Sequence, residues 1–364
     1  MTAFPGSYAP DDVQILLKRL PLQAFINVAE KEVLIQSGKK HYSEMLSPES
    51  LPSARYLEVF RHAWRSNRSR MARDSLVLAD LIAKDRRREI TIVSLARAGI
   101  PVGVILKRVL HKVFDRDATH YSVSIIRDRG IDEVALKHIL ACGHAPESIV
   151  FVDGWTGKGV IARELDHWVE KFNQKHGTAI DKGLYVLSDL AGTAAHASSS
   201  VDYLIPSSIL NATVSGLISR SILNDAIGPG DFHGCVYFEE FEAHDQSRAF
   251  ANDIVEAAID MARVQGRPAA DPLNRRAAAA VSRQCIQALQ QSYGIQDPNL
   301  IKPGIGEATR VLLRRMPRLL ILRDPQADDV AHLRILASEK TVPVTVNTNL
   351  PYHAVALIRN TSDG

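Results

Sequence analysis

Residues 148–165, SIVFVDGWTGKGVIAREL, bring an acidic residue, an aromatic ring, a hydroxyl and a lysine into one glycine-rich turn. An apolar run ends at Asp153, and the chain then passes through Trp155, Thr156, Gly157, Lys158 and Gly159 into a helical pattern. Successive backbone N–H groups at the start of a helix form an anion site. The Thr156 hydroxyl can donate to a phosphate oxygen, and an ionised Asp153, which only accepts, suits sugar hydroxyls. A 5-phosphoribosyl group offers both features. The spacing excludes other phosphate loops. Walker A requires G-x4-G-K-[ST], yet Gly154 lies only three residues before Gly157, and Gly159 occupies the hydroxyl position. The dinucleotide pattern G-x-G-x-x-G is absent as well.

A second source of chemistry is thiol. The three cysteines are Cys142, Cys235 and Cys285, and none has a CxxC or Cys/His zinc spacing, which suits a reducing compartment and argues against a structural metal. A nucleophilic cysteine needs a base and an orienting group nearby. Cys142 is followed by His144 in a loop before a strand. Cys235 follows His233 and is the better placed of the two, but neither carries a protease signature, so buried inert thiols are the expectation.

These residues have to be positioned by alternating strands and helices. Residues 11–85 read as mostly helical. From residue 89, EITIVSLARAG, THYSVSIIRDRGID, SIVFVDGWTGKG, GLYVLSDLAG and VDYLIPSS read as five apolar strands separated by helical segments. That alternation predicts a parallel sheet covered on both faces. Ligands in such sheets sit beyond the carboxyl ends of the strands, which singles out Arg97, Arg127, Asp153 and Asp189. The chain is helical after residue 240, with GRPAADPLNRRAAAA reading as a linker into a helix. A small α/β unit follows. The boundaries are 1–88, 89–250, 251–295 and 296–364. The last unit is near the lower end of independently stable size. Its helix carries Arg310, Arg314, Arg315 and Arg318, a basic face suited to nucleic-acid phosphates or, equally, a solvated docking surface.

The length of 364 residues allows two or three domains, and a formal net charge of +3 demands no nucleic-acid partner by itself. No apolar run spans a bilayer and no leader pattern opens the chain, so a cytoplasmic protein without a membrane partner is expected.

The turn at 153–159 resembles the PRPP-binding motif of type I phosphoribosyltransferases, with Asp153 at the first acid and Gly154 replacing the second. VSLARAG (93–99) resembles that family's pyrophosphate loop, and IIRDRGID (125–132) falls where its mobile basic loop is expected. EKEVLIQSGKKHYSEML, VDGWTGKG and IPSSILNATVSGLISR resemble recurrent stretches of a phosphoribosyltransferase-like family from tellurium-resistance and stress gene clusters. Some of its members carry the label cysteine protease StiP. The resemblance implies a type I phosphoribosyltransferase-like sheet under an N-terminal helical hood, and transfer of a phosphoribosyl group with PRPP and Mg2+. Asp153 would then hold ribose hydroxyls, Thr156–Gly159 the 5-phosphate, and Ala96, Arg97, Ala98 and Gly99 the pyrophosphate. Arg127 and Arg129 would close over the site, or form a solvated hairpin tip. His41, Tyr42 and Glu44 would read the base, and Trp155 would stack or simply pack. A homodimer is compatible with this family.

The C-terminal unit resembles L7Ae/Pelota RNA-binding domains, whose G-x-N-E-x-x-K turn corresponds to Gly304, Gly306, Glu307 and Arg310, with glycine at the asparagine position. RNA is therefore an expected partner, with Arg314 on the same helix. A ligand-sensing RNA regulator and a cysteine protease are the alternatives to the transferase.

Overall fold

The computed structural model describes residues 2–22, 26–47, 49, 51–270 and 273–359. Its larger unit is built on six strands: β1 (Gln14–Ile15), β2 (Thr91–Leu95), β3 (Thr119–Val123), β4 (Ile149–Thr156), β5 (Leu184–Asp189) and β6 (His196–Ser199). They lie in the order β1-β3-β2-β4-β5-β6, and every neighbouring pair is parallel. Helices α1 (Val28–Gln36), α2 (Ala54–Asp85), α3 (Gly99–Phe114), α4 (Glu133–Ala141), α5 (Val160–His176), α6 (Ser247–Gln265) and α7 (Arg275–Tyr293) accompany it.

The continuous apolar strands are buried because both faces are covered. Ile92, Val150, Val152 and Leu187 pack with α2, α3 and α6. Val93, Leu95, Phe151 and Val186 point the other way, against α4 and α5. Alternation along each strand feeds both layers.

Two sequence expectations are corrected. Residues 11–22 are not helical: Gln14–Ile15 forms the sheet edge beside β3, and Lys18–Arg19 pairs in parallel with Gly234–Cys235. The strand that follows β5 in the sheet is β6, His196–Ser199, not the expected VDYLIPSS. The 201–205 stretch leaves the sheet because Asp202 is engaged elsewhere, accepting from the Ile305 amide at 2.9 Å and the His353 amide at 2.8 Å. Part of the anticipated linker, Asp271 and Pro272, lies outside the described residues, as do residues 360–364 of the C-terminal unit.

That unit contains β7 (Ile301–Pro303), α8 (Ile305–Arg314), β8 (Pro317–Leu322), α9 (Ala331–Glu339), β9 (Val344–Val346) and β10 (Ala354–Ile358). Its sheet runs β7-β10-β8-β9, with β8 and β9 parallel and the other pairs antiparallel. Ile305, Ala308, Val311 and Leu312 of α8 belong to the same apolar cluster as α2, α3 and α6. The two units therefore share one core.

Candidate functional sites

Strand order reverses between β2 and β4, and the loops after them meet there. A Cβ on Gly99 would lie 2.7 Å from the Val152 carbonyl oxygen and 3.3 Å from the Asp153 Cα, so only glycine permits this approach. The structure thus brings Ala96–Gly99 beside Asp153. Arg97 is buried; it donates to the Ile218 carbonyl at 2.7 Å and pairs with Glu49 at 2.7 Å. Thr156 donates its hydroxyl to Asp189, whose carboxylate also accepts from the Ala191 and Ala194 amides.

The turn after β4 is covered by the C-terminal unit. Lys158 Nζ donates to the Pro298 carbonyl at 2.6 Å. Gly157 abuts Glu307: an added Cβ would be 2.7 Å from its Cγ. Arg310 pairs with Glu307 at 2.8 Å and lies over Trp155. Gly306 sits so close to Trp155 that a Cβ would come within 2.4 Å of the ring, which accounts for glycine where the resembled turn has asparagine. Gly304 adopts φ 87° against Leu190 and Asp202. Arg314 donates to Asn211. Gly304, Gly306, Glu307, Arg310 and Arg314, anticipated as an RNA-contacting set, thus face the larger unit.

Charge in this junction is dense. Burial pushes the Asp153 carboxyl up to about 6, against the pull of Arg310. Burial and Lys302 bring the Lys158 ammonium down to about 7. Burial opposes ionisation of Glu307, but Arg310, Lys302 and Lys158 outweigh it and hold its carboxyl below the ordinary range.

The basic hairpin and the 41–44 segment also come together. Ile125–Ile126 pairs with Gly130–Ile131, and Asp128 sits at the tip with φ 65°. The Arg127 amide donates to Tyr42 Oη at 2.9 Å, and Arg129 pairs with Glu44 at 3.1 Å. His41 lies tilted against Tyr42, with ring centroids 4.4 Å apart.

The thiols separate clearly, with Cys142 at the opposite end of the sheet, ahead of the start of β4. Cys235 is fully buried, and burial pushes its thiol up to about 12; Cys285 is buried and pushed to about 11. Cys142 is exposed, which corrects the expectation of a buried thiol, and its Sγ lies 3.7 Å from His138 Nε2. Both stand at the C-terminal end of α4, four residues apart and so on one face. Beside them Tyr121 Oη is 3.0 Å from His144 Nε2, and His144 Nδ1 is 2.5 Å from Glu89 Oε1. Burial together with the neighbouring Cys142 raises the Tyr121 hydroxyl to about 12. Burial works against the Glu89 carboxylate, but hydrogen bonds from His144 and the Ala145 amide keep its carboxyl below the ordinary range. Glu89, Tyr121 and His138 went unnoticed in the sequence. The helical spacing of His138 and Cys142 was a signal; the approach of Glu89 from the loop before β2 and of Tyr121 from β3 left none.

Residues 6–255 match the family model described as tellurite-like stress resistance cysteine protease StiP. Residues 280–360 match the PELOTA RNA binding domain. A curated relative, "Cysteine protease StiP" of Acinetobacter baylyi, is 41% identical over 372 residues, covering 99% of this chain and 96% of the relative. No solved structure matches. Among the described residues no helix is long and apolar enough to cross a membrane. The expected phosphoribosyl transfer is overturned: relative and family model alike carry the name of a cysteine protease, and neither supports that chemistry. The PRPP and magnesium expectation rested on that reading alone. By the family match and by the identity over nearly the whole of both chains, the protein belongs to the StiP family and carries a C-terminal PELOTA RNA-binding domain.

Proposed function

We propose that this chain is a thiol peptidase with Cys142 as nucleophile and His138 as its base. The observation that carries the proposal is the 3.7 Å separation of the exposed Cys142 Sγ from His138 Nε2, beside the Tyr121–His144–Glu89 network. It agrees with the name borne by the family and the curated relative. His138 takes the thiol proton, and the sulfur attacks the peptide carbonyl carbon. The carbon–nitrogen bond then breaks as His138 returns the proton to the departing amine. Water hydrolyses the thioester and frees the thiol. Glu89 holds His144, which faces the thiol through Tyr121 and adds polarity to the site.

On this reading the phosphoribosyltransferase-like sheet is a scaffold that sets the end of α4 against β2 and β3. The C-terminal unit binds RNA through the surface that remains outside the junction, a reading supported by the PELOTA match.

The test is cleavage of an unfolded protein substrate by the full chain. Cys142→Ala should abolish it, and His138→Gln should slow it by roughly 10²–10⁴-fold. Cys235→Ala should leave it unchanged. Absence of cleavage by the wild type, or cleavage that survives Cys142→Ala, overturns the proposal.

A further inference from the structure

A cavity of about 320 Å³ opens between residues 46–47, 49 and 51–56, the segment 209–213 and helices α8 and α9. It shares no residue with the Cys142 cluster. Three cations line it: Lys31, Arg220 and Arg314. Among the described residues none of the three is ion-paired with a carboxylate. Lys31 donates to Ser47 Oγ at 3.2 Å, Arg220 to the Tyr42 carbonyl at 2.6 Å and to the Met45 carbonyl, and Arg314 to Asn211 Oδ1. Two carboxylates lie on the wall, and Glu49 offsets part of the charge of Arg220 and Arg314 without forming an ion pair with either. Glu49 is bound to Arg97, and Glu339 is exposed at the rim.

A second observation points into the same space. Tyr56 is 5% exposed and lines the cavity, yet its hydroxyl has no hydrogen-bond partner among the described residues. Buried polar groups are nearly always paired, and an orphan beside an open polar cavity is a donor waiting for an acceptor. Leu46, Phe241 and Leu336 supply an apolar stretch of wall, beside the polar Ser53, Asn211 and Thr213.

We propose that this cavity binds a small organic phosphate, its doubly charged head among Lys31, Arg220, Arg314 and the Tyr56 hydroxyl and its body against the apolar wall. Three unpaired cations call for more than one negative charge, which favours a phosphate monoester over a carboxylate. A neutral ligand would leave their mutual repulsion in place. The walls come from the N-terminal segment, the larger unit and the C-terminal unit, so an occupant would link all three.

The ammonium of Lys31 supplies an independent readout. Burial, then Arg220, Arg315 and Arg314, hold it down to about 7, while Glu32 pulls the other way; Glu49, Arg97 and Glu339 charge the surrounding wall. Affinity for a dianion should therefore fall as pH rises through 7, and a bound dianion should draw a proton onto Lys31.

The experiment is calorimetry on the full chain with phenyl phosphate, inorganic phosphate and benzoate as probes. Phenyl phosphate should bind, and inorganic phosphate, lacking a body, should bind more weakly. Benzoate, with one charge, should be weaker by roughly tenfold or more. Lys31→Met and Arg314→Met should each lower phenyl phosphate affinity by roughly tenfold or more. Tyr56→Phe, which keeps the ring and its packing, should lower it a few-fold. Comparing wild type with Lys31→Met between pH 6 and 8 cancels the titration of the ligand itself, and the variant should lose part of the pH dependence. No binding of phenyl phosphate at millimolar concentration overturns the proposal. So does equal affinity for benzoate, or affinity indifferent to both Lys31→Met and Tyr56→Phe.

Discussion

The Arg310 guanidinium lies over the Trp155 ring at 4.5 Å from its centroid, joining the second turn of α8 to the end of β4. Arg310 also pairs with Glu307 at 2.8 Å, so one side chain closes the junction by two means. A cation–π contact contributes about 0.5–1 kcal/mol when exposed and about 2 kcal/mol when desolvated, and Arg310 is half-buried. Arg310→Ala should lower unfolding stability by about 1–2 kcal/mol and shift Trp155 emission to the red. Gly306→Ala should do more, about 1–3 kcal/mol, because the new methyl would strike the indole. Urea unfolding followed by fluorescence checks both; an unchanged midpoint for Gly306→Ala would contradict the packing described.

Asp202 gives the fold a pH signature. Burial, reinforced by Asp329, pushes its carboxyl up to about 6 although it accepts from the Ile305 and His353 amides. The ordinary aspartate value is about 3.9. Between those values the folded chain holds a proton that the unfolded chain has released. Stability therefore falls as pH rises from about 4 to 6, by an amount on the order of 3 kcal/mol from this group. Asp153 adds a slope of the same sign. Asp202→Asn should flatten the profile over this range, measured as urea midpoints at successive pH values. A slope identical to wild type would show that Asp202 is ionised throughout.

The thiols should differ sharply towards alkylating reagents. Iodoacetamide on the native chain should modify Cys142 alone, since Cys235 and Cys285 are buried and their thiols are pushed to about 12 and 11. Unfolding should expose all three. Peptide mass spectrometry after native labelling reads this directly, and early modification of Cys235 would contradict its burial.

RNA affinity should depend on the residues that remain outside. Arg310 and Arg314 are committed to Trp155, Glu307 and Asn211, whereas Arg318 and Arg334 are exposed. In the full chain, Arg318→Glu and Arg334→Glu should therefore weaken RNA binding more than Arg314→Ala. Each phosphate that a variant no longer touches should flatten the log–log salt dependence by roughly 0.7–0.9. Filter binding over a salt series tests this.

Much of the scaffold was readable because parallel strands leave a plain mark. Residues 91–95, 149–152 and 184–188 carry no charge and are mostly apolar, and two-sided burial is the physical reason. His196–Ser199 escaped notice because His-Ala-Ser-Ser lacks that mark; the strand forms through its pairing with Tyr185–Ser188. At the junction, residue types were legible while their partners were not. Lys158 read as a phosphate ligand, yet its hydrogen-bond partner is a carbonyl 140 residues away, in a different unit. The same limit applied to Cys142: its neighbour on the helix could be counted, but Glu89 arrives from the loop before β2 and Tyr121 from β3.

The shared core has a consequence for what a nick would do. The segment around Arg267 is exposed and joins α6 to α7 at the surface. A protease cutting there would sever the chain while leaving Ile305, Val311 and Leu312 seated among the side chains of α2, α3 and α6. Two bands on a denaturing gel should accompany a single peak on a sizing column. The products would persist as a tight heterodimer, separable only by unfolding both fragments together.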